Sequence, residues 1–308
     1  VTLRQFGRSI QLFTPLYISN FCTNHCTYCS FAATHSFKRD HLDMAQIEDE
    51  AKRLATTGLR QILLLTGDAR RKASPEYIAE AVRVVSRYFP SVGLEVYAMT
   101  TDEYRQMADA GADLLTIYQE TYDKELYHNL HPKGPKSDYA FRLDAPARAC
   151  EAGFRQVAVG ALLGLGEPHL DTFRAATHAH QLQARYPEVE IAISMPRMRE
   201  FSGDQGFTVH PVSDRFFVQA LTALRLFLPR SGITISTRES AIFRRQILPL
   251  GVTRMSAGVS TAVGHDHENA IGQFEIDDPR SVAEVSQELA EAGYQPVYHD
   301  WNQKYFTA

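Results

Sequence analysis

Cysteine is scarce in this chain, and its distribution is uneven. Of four cysteines in 308 residues, Cys22, Cys26 and Cys29 fall within one eight-residue stretch and only Cys150 lies elsewhere. Such clustering excludes a disulfide framework, which spreads paired cysteines along a small secreted domain. A second C-x-x-C and an H-x-x-x-H are both missing downstream, so the double ligand pair of most zinc modules is not there. Basic excess is also absent. With 32 Lys and Arg against 36 Asp and Glu, the formal charge is −4 and the pI is near 6.3. That balance argues against a nucleic-acid-binding surface. No apolar run reaches the length of a membrane span, and no signal peptide opens the chain. Reduced thiols without a sorting signal point to the cytoplasm. The first residue is Val and leads almost directly into a strand, the pattern of a fragment lacking an N-terminal segment.

What the chain does have is an ordinary globular composition, 44% hydrophobic and 22% charged, enough for one large domain or two modest ones. Short apolar runs alternate with longer amphipathic stretches, the signature of β/α alternation. Strands are expected at 13–19, 61–66, 94–99, 114–118, 156–161, 190–194, 233–237 and 254–258. Helices are expected at 43–57, 75–88, 102–110, 139–152, 169–185, 213–227 and 239–248. Capping signals open several of them, as at Ser74-Pro75 and Thr101-Asp102. Gly58, Gly111 and Gly153 close others. Eight β/α units in this length predict an α/β fold with a single closed (β/α)8 TIM-type barrel over 1–263. An open doubly wound sheet is the structural alternative. The remainder, 264–308, differs in texture: a polar stretch, a helix near 279–292 and the run from Tyr294 to Trp301. It reads as a C-terminal extension packed across one end of the barrel.

Closure has a functional consequence, because such barrels carry their active sites on the loops after the strands. The unusual residues fall there. The cysteine loop follows the first expected strand, Thr66-Gly67-Asp68 the second, and Gln119-Glu120-Thr121-Tyr122 the fourth. Gly164-Leu165-Gly166 follows the fifth, Pro196-Arg197-Met198-Arg199 the sixth, and Arg238-Glu239-Ser240 the seventh.

Three thiolates are one too few for a four-iron cluster fully ligated by protein, in which each iron takes a cysteine. The C-x-x-x-C-x-x-C spacing therefore predicts a 4Fe-4S cluster with one iron left open to a small molecule. The rival is a Cys3His zinc site recruiting His25 or a distant residue. His25 lies between two of the cysteines, so the backbone would have to fold sharply for it to ligate as well. On that reading the chain is a zinc-stabilised barrel acting as a binding module. Colour separates the two: brown protein with iron and sulfide, or colourless protein with stoichiometric zinc.

The cysteine motif with Tyr28 before its last cysteine resembles that of the radical S-adenosylmethionine (SAM) enzymes. Further stretches are similar to one branch of them, the aromatic amino-acid lyases. They are Pro15-Leu16-Tyr17-Ile18-Ser19-Asn20, the run from Tyr118 to Tyr122, His131-Pro-Lys-Gly-Pro-Lys136, Ser194-Met-Pro-Arg-Met-Arg199 and Ser236-Thr-Arg-Glu-Ser240. The likeness runs from Tyr17 to Trp301. It implies that Cys22, Cys26 and Cys29 hold a 4Fe-4S cluster whose open iron chelates SAM. The cluster would cleave SAM to methionine and a 5′-deoxyadenosyl radical, which takes a hydrogen from the substrate amino group before the Cα–Cβ bond breaks. From L-tyrosine the products would be 2-iminoacetate (dehydroglycine) and p-cresol, as in thiazole and thiamine biosynthesis.

The resemblance also assigns residues. Tyr28 would pack on the adenine, although it could equally fill core. Asp68 stands where the family has Glu to bind the SAM amino group; it is one methylene shorter, and its plain alternative is a helix cap. Arg142 would grip the SAM carboxylate, fork to carboxylate, or else be a solvated helix arginine. Gly160, Gly164 and Gly166 would let backbone approach the adenosine, or are turn glycines. Glu120 ends an apolar strand, where a carboxylate is costly without a cation, either an ammonium or a structural salt bridge. Arg238 is the expected anchor for the substrate carboxylate, with Ser236 beside it and Tyr17 orienting the substrate. Arg197 is second choice for the anchor, or a SAM contact. His265 and His267 read as a solvated loop in preference to a second metal site.

No cysteine follows Cys150, which excludes the hydrogenase-maturation relative with its second, C-terminal cluster. The tail, 273–280 and 294–301, resembles the thiamine-pathway tyrosine lyases, and tryptophan stays open as the substrate. A low-potential electron donor such as a flavodoxin or ferredoxin is implied, and a thiazole synthase to consume the unstable dehydroglycine.

Overall fold

The structure, a computed structural model, describes residues 1–199, 208–264 and 271–298. The chain begins with α1 (Thr2–Phe6) and β1 (Ser9–Ser19), followed by α2 (Met44–Ala55), β2 (Gln61–Thr66), α3 (Pro75–Val85), β3 (Ser91–Glu95), α4 (Thr101–Ala110) and β4 (Ala112–Thr116). Three short helices come next, α5 (Lys124–Leu130), α6 (Tyr139–Leu143) and α7 (Ala145–Glu151), and lead to β5 (Gln156–Gly160). The second half runs α8 (Pro168–Arg185), β6 (Glu190–Ser194), α9 (Asp214–Phe227), β7 (Gly232–Ile235), α10 (Ala241–Ile247) and β8 (Arg254–Ser256). After the ring come α11 (Val282–Glu291) and β9 (Gln295–Val297).

Strands β2 through β8 neighbour one another in order, β8 pairs with β1, and β1 pairs with β2, so the parallel sheet closes on itself. The barrel is real and the open sheet is not. β5 is buried throughout, as expected of parallel strands covered by helices, while strand residues such as Gln61, Glu95 and Ser256 turn polar groups into the barrel interior. β9 lies against residues Ser9 to Gln11 of β1, at the end of the barrel opposite the loops that follow the strands. No helix among the described residues is long and apolar enough to cross a membrane.

Local chemistry explains the boundaries. Asp43 and Thr100 cap α2 and α4 with reciprocal capping boxes, and Ser74 caps α3 ahead of Pro75. The cap of α4 is thus Thr100, one residue earlier than the sequence suggested. Gly111 ends α4 with φ 116°, a conformation that only glycine adopts without strain.

Two departures from the sequence pattern shape the site. The single helix expected at 139–152 breaks at Asp144 into α6 and α7. Pro146 has no N–H for the Arg142 carbonyl and its ring crowds the preceding turn. The third strand ends at Glu95, not at 99, so Glu95 sits on the rim and not inside a buried run.

Candidate active site

A deep cavity opens at the loop end of the barrel, lined by all three clustered cysteines together with Tyr17, Tyr28, Asp68, Glu120, Arg142, Ser236 and Arg238. Four expected site residues, Arg197, Gly160, Gly164 and Gly166, are not on its wall. Arg197 sits on an extended segment bridged to Leu163, where side chains alternate in direction. Pro196 and Met198 face the cavity. Arg197 faces away, donates to Asp214 (2.7 Å) and Glu239, and stacks between Phe217 and Phe243. It contacts neither anchor nor cofactor space. Gly164, with φ 111°, packs on the Met198 side chain and the His210 carbonyl, so it serves a turn. Gly160 and Gly166 are also packing glycines: a Cβ would lie 1.8 Å from the Ser194 carbonyl oxygen in the first and 2.9 Å from Leu126 in the second. His265 and His267 lie outside the described residues, as does Trp301.

The cysteine loop is held by backbone from two sides. Thr23 N–H donates to the Asp68 carbonyl (2.8 Å), His25 to Lys133 (2.9 Å) and Thr27 to Leu130 (3.1 Å). Arg39 clamps it from below, donating to the carbonyls of Asn20, Phe31 and Ala32 at 2.6–2.7 Å. Gly67 lets the β2 loop come this close, since a Cβ there would lie 2.3 Å from the Phe21 carbonyl oxygen. Gly67→Ala should therefore cost about 1–3 kcal/mol of stability and shift Cys22. A lower melting temperature with reduced iron content after reconstitution checks this; parent values for both would show that the loop has slack.

Burial pushes the Cys26 and Cys29 thiols up, toward the protonated form. A cationic centre is what would hold them as thiolates. Among the described residues no three His, Cys, Asp or Glu side chains converge as a single metal ion requires, and His25 is not on the cavity wall. A cluster makes no such demand, because each iron takes its own thiolate.

Beside the loop, Tyr28 is fixed through its hydroxyl. His131 Nδ1 lies 2.7 Å from the Tyr127 carbonyl, which can only accept, so Nδ1 carries the proton. Nε2 then accepts from the Tyr28 O–H at 2.7 Å. Burial first, and the Lys136 charge second, push His131 down to about 2, so it stays neutral.

Glu120 has φ 71°, the one left-handed non-glycine backbone among the described residues, a conformation costing roughly 1–3 kcal/mol and frequent at functional sites. Its carboxylate is taken by Lys136 (2.6 Å) and Arg142 (3.3 Å). The structural salt bridge is thus the partner it has. Lys136 first, then Arg142, hold Glu120 below the usual carboxylate range against the opposing effect of burial. Arg142 also donates to the Tyr118 carbonyl (2.7 Å). It faces the cavity and is not a solvated helix arginine.

Asp68 accepts from Asn24 Nδ2 at 2.8 Å through Oδ2, while its buried Oδ1 has no partner. Burial raises its pKa. It caps no helix, since the α3 cap is Ser74.

On the far wall Arg238 stacks on Phe274, 3.4 Å from the ring centroid. Among the described residues no carboxylate comes within 4 Å of its guanidinium. Phe274 and Gln273 come from the segment after the barrel. Gln273 accepts from the Tyr17 hydroxyl (2.7 Å) and its Nε2 lies 3.9 Å from Cys29 Sγ. Neither residue was singled out from the sequence, nor was Glu95; Lys136 was quoted only inside a motif.

A match to the radical SAM superfamily spans residues 16–176. The chain belongs to the radical SAM superfamily. A second family, the biotin and thiamin synthesis associated domain, matches 194–295. The chain is 34% identical to the 2-iminoacetate synthase of Escherichia coli strain K12, over 98% of this chain and 81% of that protein. It is 33% identical to the Salmonella typhimurium enzyme of the same name, with the same coverage. Among solved structures, the FeFe-hydrogenase maturase HydG from Carboxydothermus hydrogenoformans superposes with a TM-score of 0.90 at 31% identity, over 97% of this chain and 70% of that one. Methylornithine synthase, at 22% identity and a TM-score of 0.79, shares the fold.

Radical SAM proteins use a 4Fe-4S cluster and SAM, and this member has the donors for both. Three soft thiols on one wall suit the cluster. The unpartnered Asp68 Oδ1 suits an ammonium donor, and the Tyr28 ring borders the same space.

Proposed function

We propose that this radical SAM protein is a carbon–carbon lyase that cleaves the Cα–Cβ bond of L-tyrosine to 2-iminoacetate and p-cresol. The observation that carries the reading is the half-buried Arg238 lining one cavity with the cysteines, without a carboxylate of its own among the described residues. Burial lowers its pKa, so the charge is held at a cost that a substrate carboxylate would offset.

When bound, the cluster and SAM supply a carbon radical able to take a hydrogen from the substrate amino group. The remaining tasks belong to the chain. Cys22, Cys26 and Cys29 hold the cluster. Tyr28, kept in place by His131, packs against SAM, with Asp68 and Arg142 at its charged end. Arg238 grips the substrate carboxylate, Ser236 lies beside it, and Tyr17, fixed by Gln273, borders the ring. We read 264–308 as an extension of the 1–263 barrel that also walls the site, through Gln273 and Phe274.

The reading further assigns a low-potential electron donor, a flavodoxin or ferredoxin, and a thiazole synthase taking the unstable product. It places the protein in the cytoplasm, where thiols stay reduced. Anaerobic, reduced and reconstituted protein given SAM with tyrosine or tryptophan should release 5′-deoxyadenosine, with p-cresol from tyrosine. An indole product without cresol overturns the substrate, and colourless zinc-bound protein overturns the class.

A further inference from the structure

We propose that Glu95 holds the α-ammonium of the substrate opposite Arg238 and accepts the proton that group must lose. This rests on the amino-acid lyase reading and adds a second charged subsite to it.

The register places the carboxylate. Tyr17 pairs with Leu65, and Leu65 with Glu95, so the three side chains form one layer of the barrel, and all three line the cavity. The surrounding run, Val92-Gly93-Leu94 and Val96-Tyr97, is apolar, and Glu95 is the charge that interrupts it. Among the described residues no hydrogen bond or ion pair holds this carboxylate, in contrast to Glu120, which Lys136 and Arg142 occupy. A half-buried, unpaired carboxylate on the wall of a barrel cavity is costly in a fold that gains nothing from it. Arg238 faces the same space and likewise lacks an ion-pair partner among the described residues. One anionic and one cationic group, in electrostatic reach but not in salt-bridge contact, match the two charges of an α-amino acid zwitterion. With Arg238 on the carboxylate, the ammonium falls to Glu95.

The chemistry needs such a group. A substrate nitrogen that is to give up a hydrogen atom must first be a neutral amine, whereas a free amino acid arrives as ammonium. The step is a proton transfer: the N–H bond breaks, an O–H bond forms on Glu95, and no electron changes owner. Burial first, and the Glu120 charge second, push the Glu95 carboxyl up to about 7, against Arg238, Arg142 and Lys136. That is well above an ordinary carboxylate but still below a free amino acid's ammonium, which is more basic than the roughly 8 of a peptide α-amino group. The transfer is therefore uphill, yet far less so than to an unperturbed carboxylate. The other titratable groups facing it are Tyr17 from β1 and Tyr118 beyond β4, both held protonated by burial.

The test compares Glu95→Gln with the parent, both carrying oxidised cluster and SAM, by calorimetric titration with L-tyrosine and with 3-(4-hydroxyphenyl)propanoate, which lacks only the amino group. The variant should bind tyrosine about 10- to 100-fold more weakly and the desamino analogue within about 2-fold of the parent. Equal changes for both ligands overturn the proposal, since a group that served the phenol or merely balanced Arg238 would treat them alike. If the parent binds tryptophan and not tyrosine, the substrate reading falls, and the same ratio on tryptophan and 3-(indol-3-yl)propanoate decides Glu95. Ligand-free protein gives a second readout. A carboxyl raised in the fold destabilises it once pH exceeds the unfolded value, with the full cost present above about 7. Glu95→Gln should therefore raise the melting temperature at pH 8, with the gain gone by pH 5. A loss at pH 8 means that Glu95 has a structural partner and overturns the proposal.

Discussion

Arg238→Ala is expected to lower kcat/KM for tyrosine by about 30- to 5,000-fold, the range for removing one partner of a buried, hydrogen-bonded charge pair. The loss should appear in substrate turnover alone. Arg238 lies across the cavity from the cysteine loop and bonds to none of the groups that hold it. Iron and sulfide content after reconstitution should equal the parent's. Arg238→Lys should recover only part of the loss, because an ammonium keeps the charge but not the planar fork. The alanine variant should also melt no lower than the parent, since it removes a half-buried charge whose protein contact is the Phe274 ring. An unchanged rate would remove Arg238 from the anchor role and leave the carboxylate to Arg199, which lines the cavity but is also drawn to Asp277 at 3.1 Å.

The second large effect is on stability. Arg244 and Asp278 form an ion pair with both side chains wholly buried, and Arg244 also donates to the Ser256 carbonyl. Asp278 in turn takes Arg280 at 2.7 Å. Removing one member of such a pair strands the other without solvent, at about 3–5 kcal/mol. Asp278→Ala should therefore lower the melting temperature by roughly 5–15 °C in a protein of this size. Arg244→Met combined with Asp278→Ala should lose less than Asp278→Ala alone, because the uncompensated charge is then gone. A double variant as unstable as the sum of the singles would show the two sites to be independent. The pair also has a catalytic reach. Asp277 and Asp278 N–H groups both meet the Thr237 carbonyl, at 2.8 and 3.2 Å, one residue before Arg238. Loss of Asp278 should raise KM for tyrosine as well.

Much of the site could be read from the sequence because β/α punctuation is regular. The expected strand ends put Cys22, Asp68, Glu120 and Arg238 on the rim, whereas Ser236, inside the expected strand 233–237, comes only from the family resemblance. Glu95 escaped because the apolar run 94–99 looks like a buried strand, which places the carboxylate near its start and not at the last paired position. Nothing in composition shows that pairing stops at 95; that depends on where β2 and β4 end. Gln273 and Phe274 escaped for another reason: they sit in irregular chain after the ring, where no periodicity says which way a side chain points. Arg197 was misplaced by one step of alternation, since an extended segment sends neighbours to opposite sides. Lys136 lies on a short turn whose position depends on Asn24, which accepts the Lys136 N–H at 2.9 Å.

β1 has a consequence for biosynthesis. It is made before every other strand of the ring, yet its neighbours on one side are β8 and on the other β2 and, at its start, β9. Residue 295 must leave the ribosome before the last of these seams can form. Until then the nascent chain carries open strand edges, the feature that invites association with other chains. The loop that receives iron hangs directly from that strand. Insertion of the metal therefore belongs after β8 and β9 have emerged and closed the ring on β1, and a cell making this protein faster than it can shelter the unfinished ring should accumulate it as colourless aggregate.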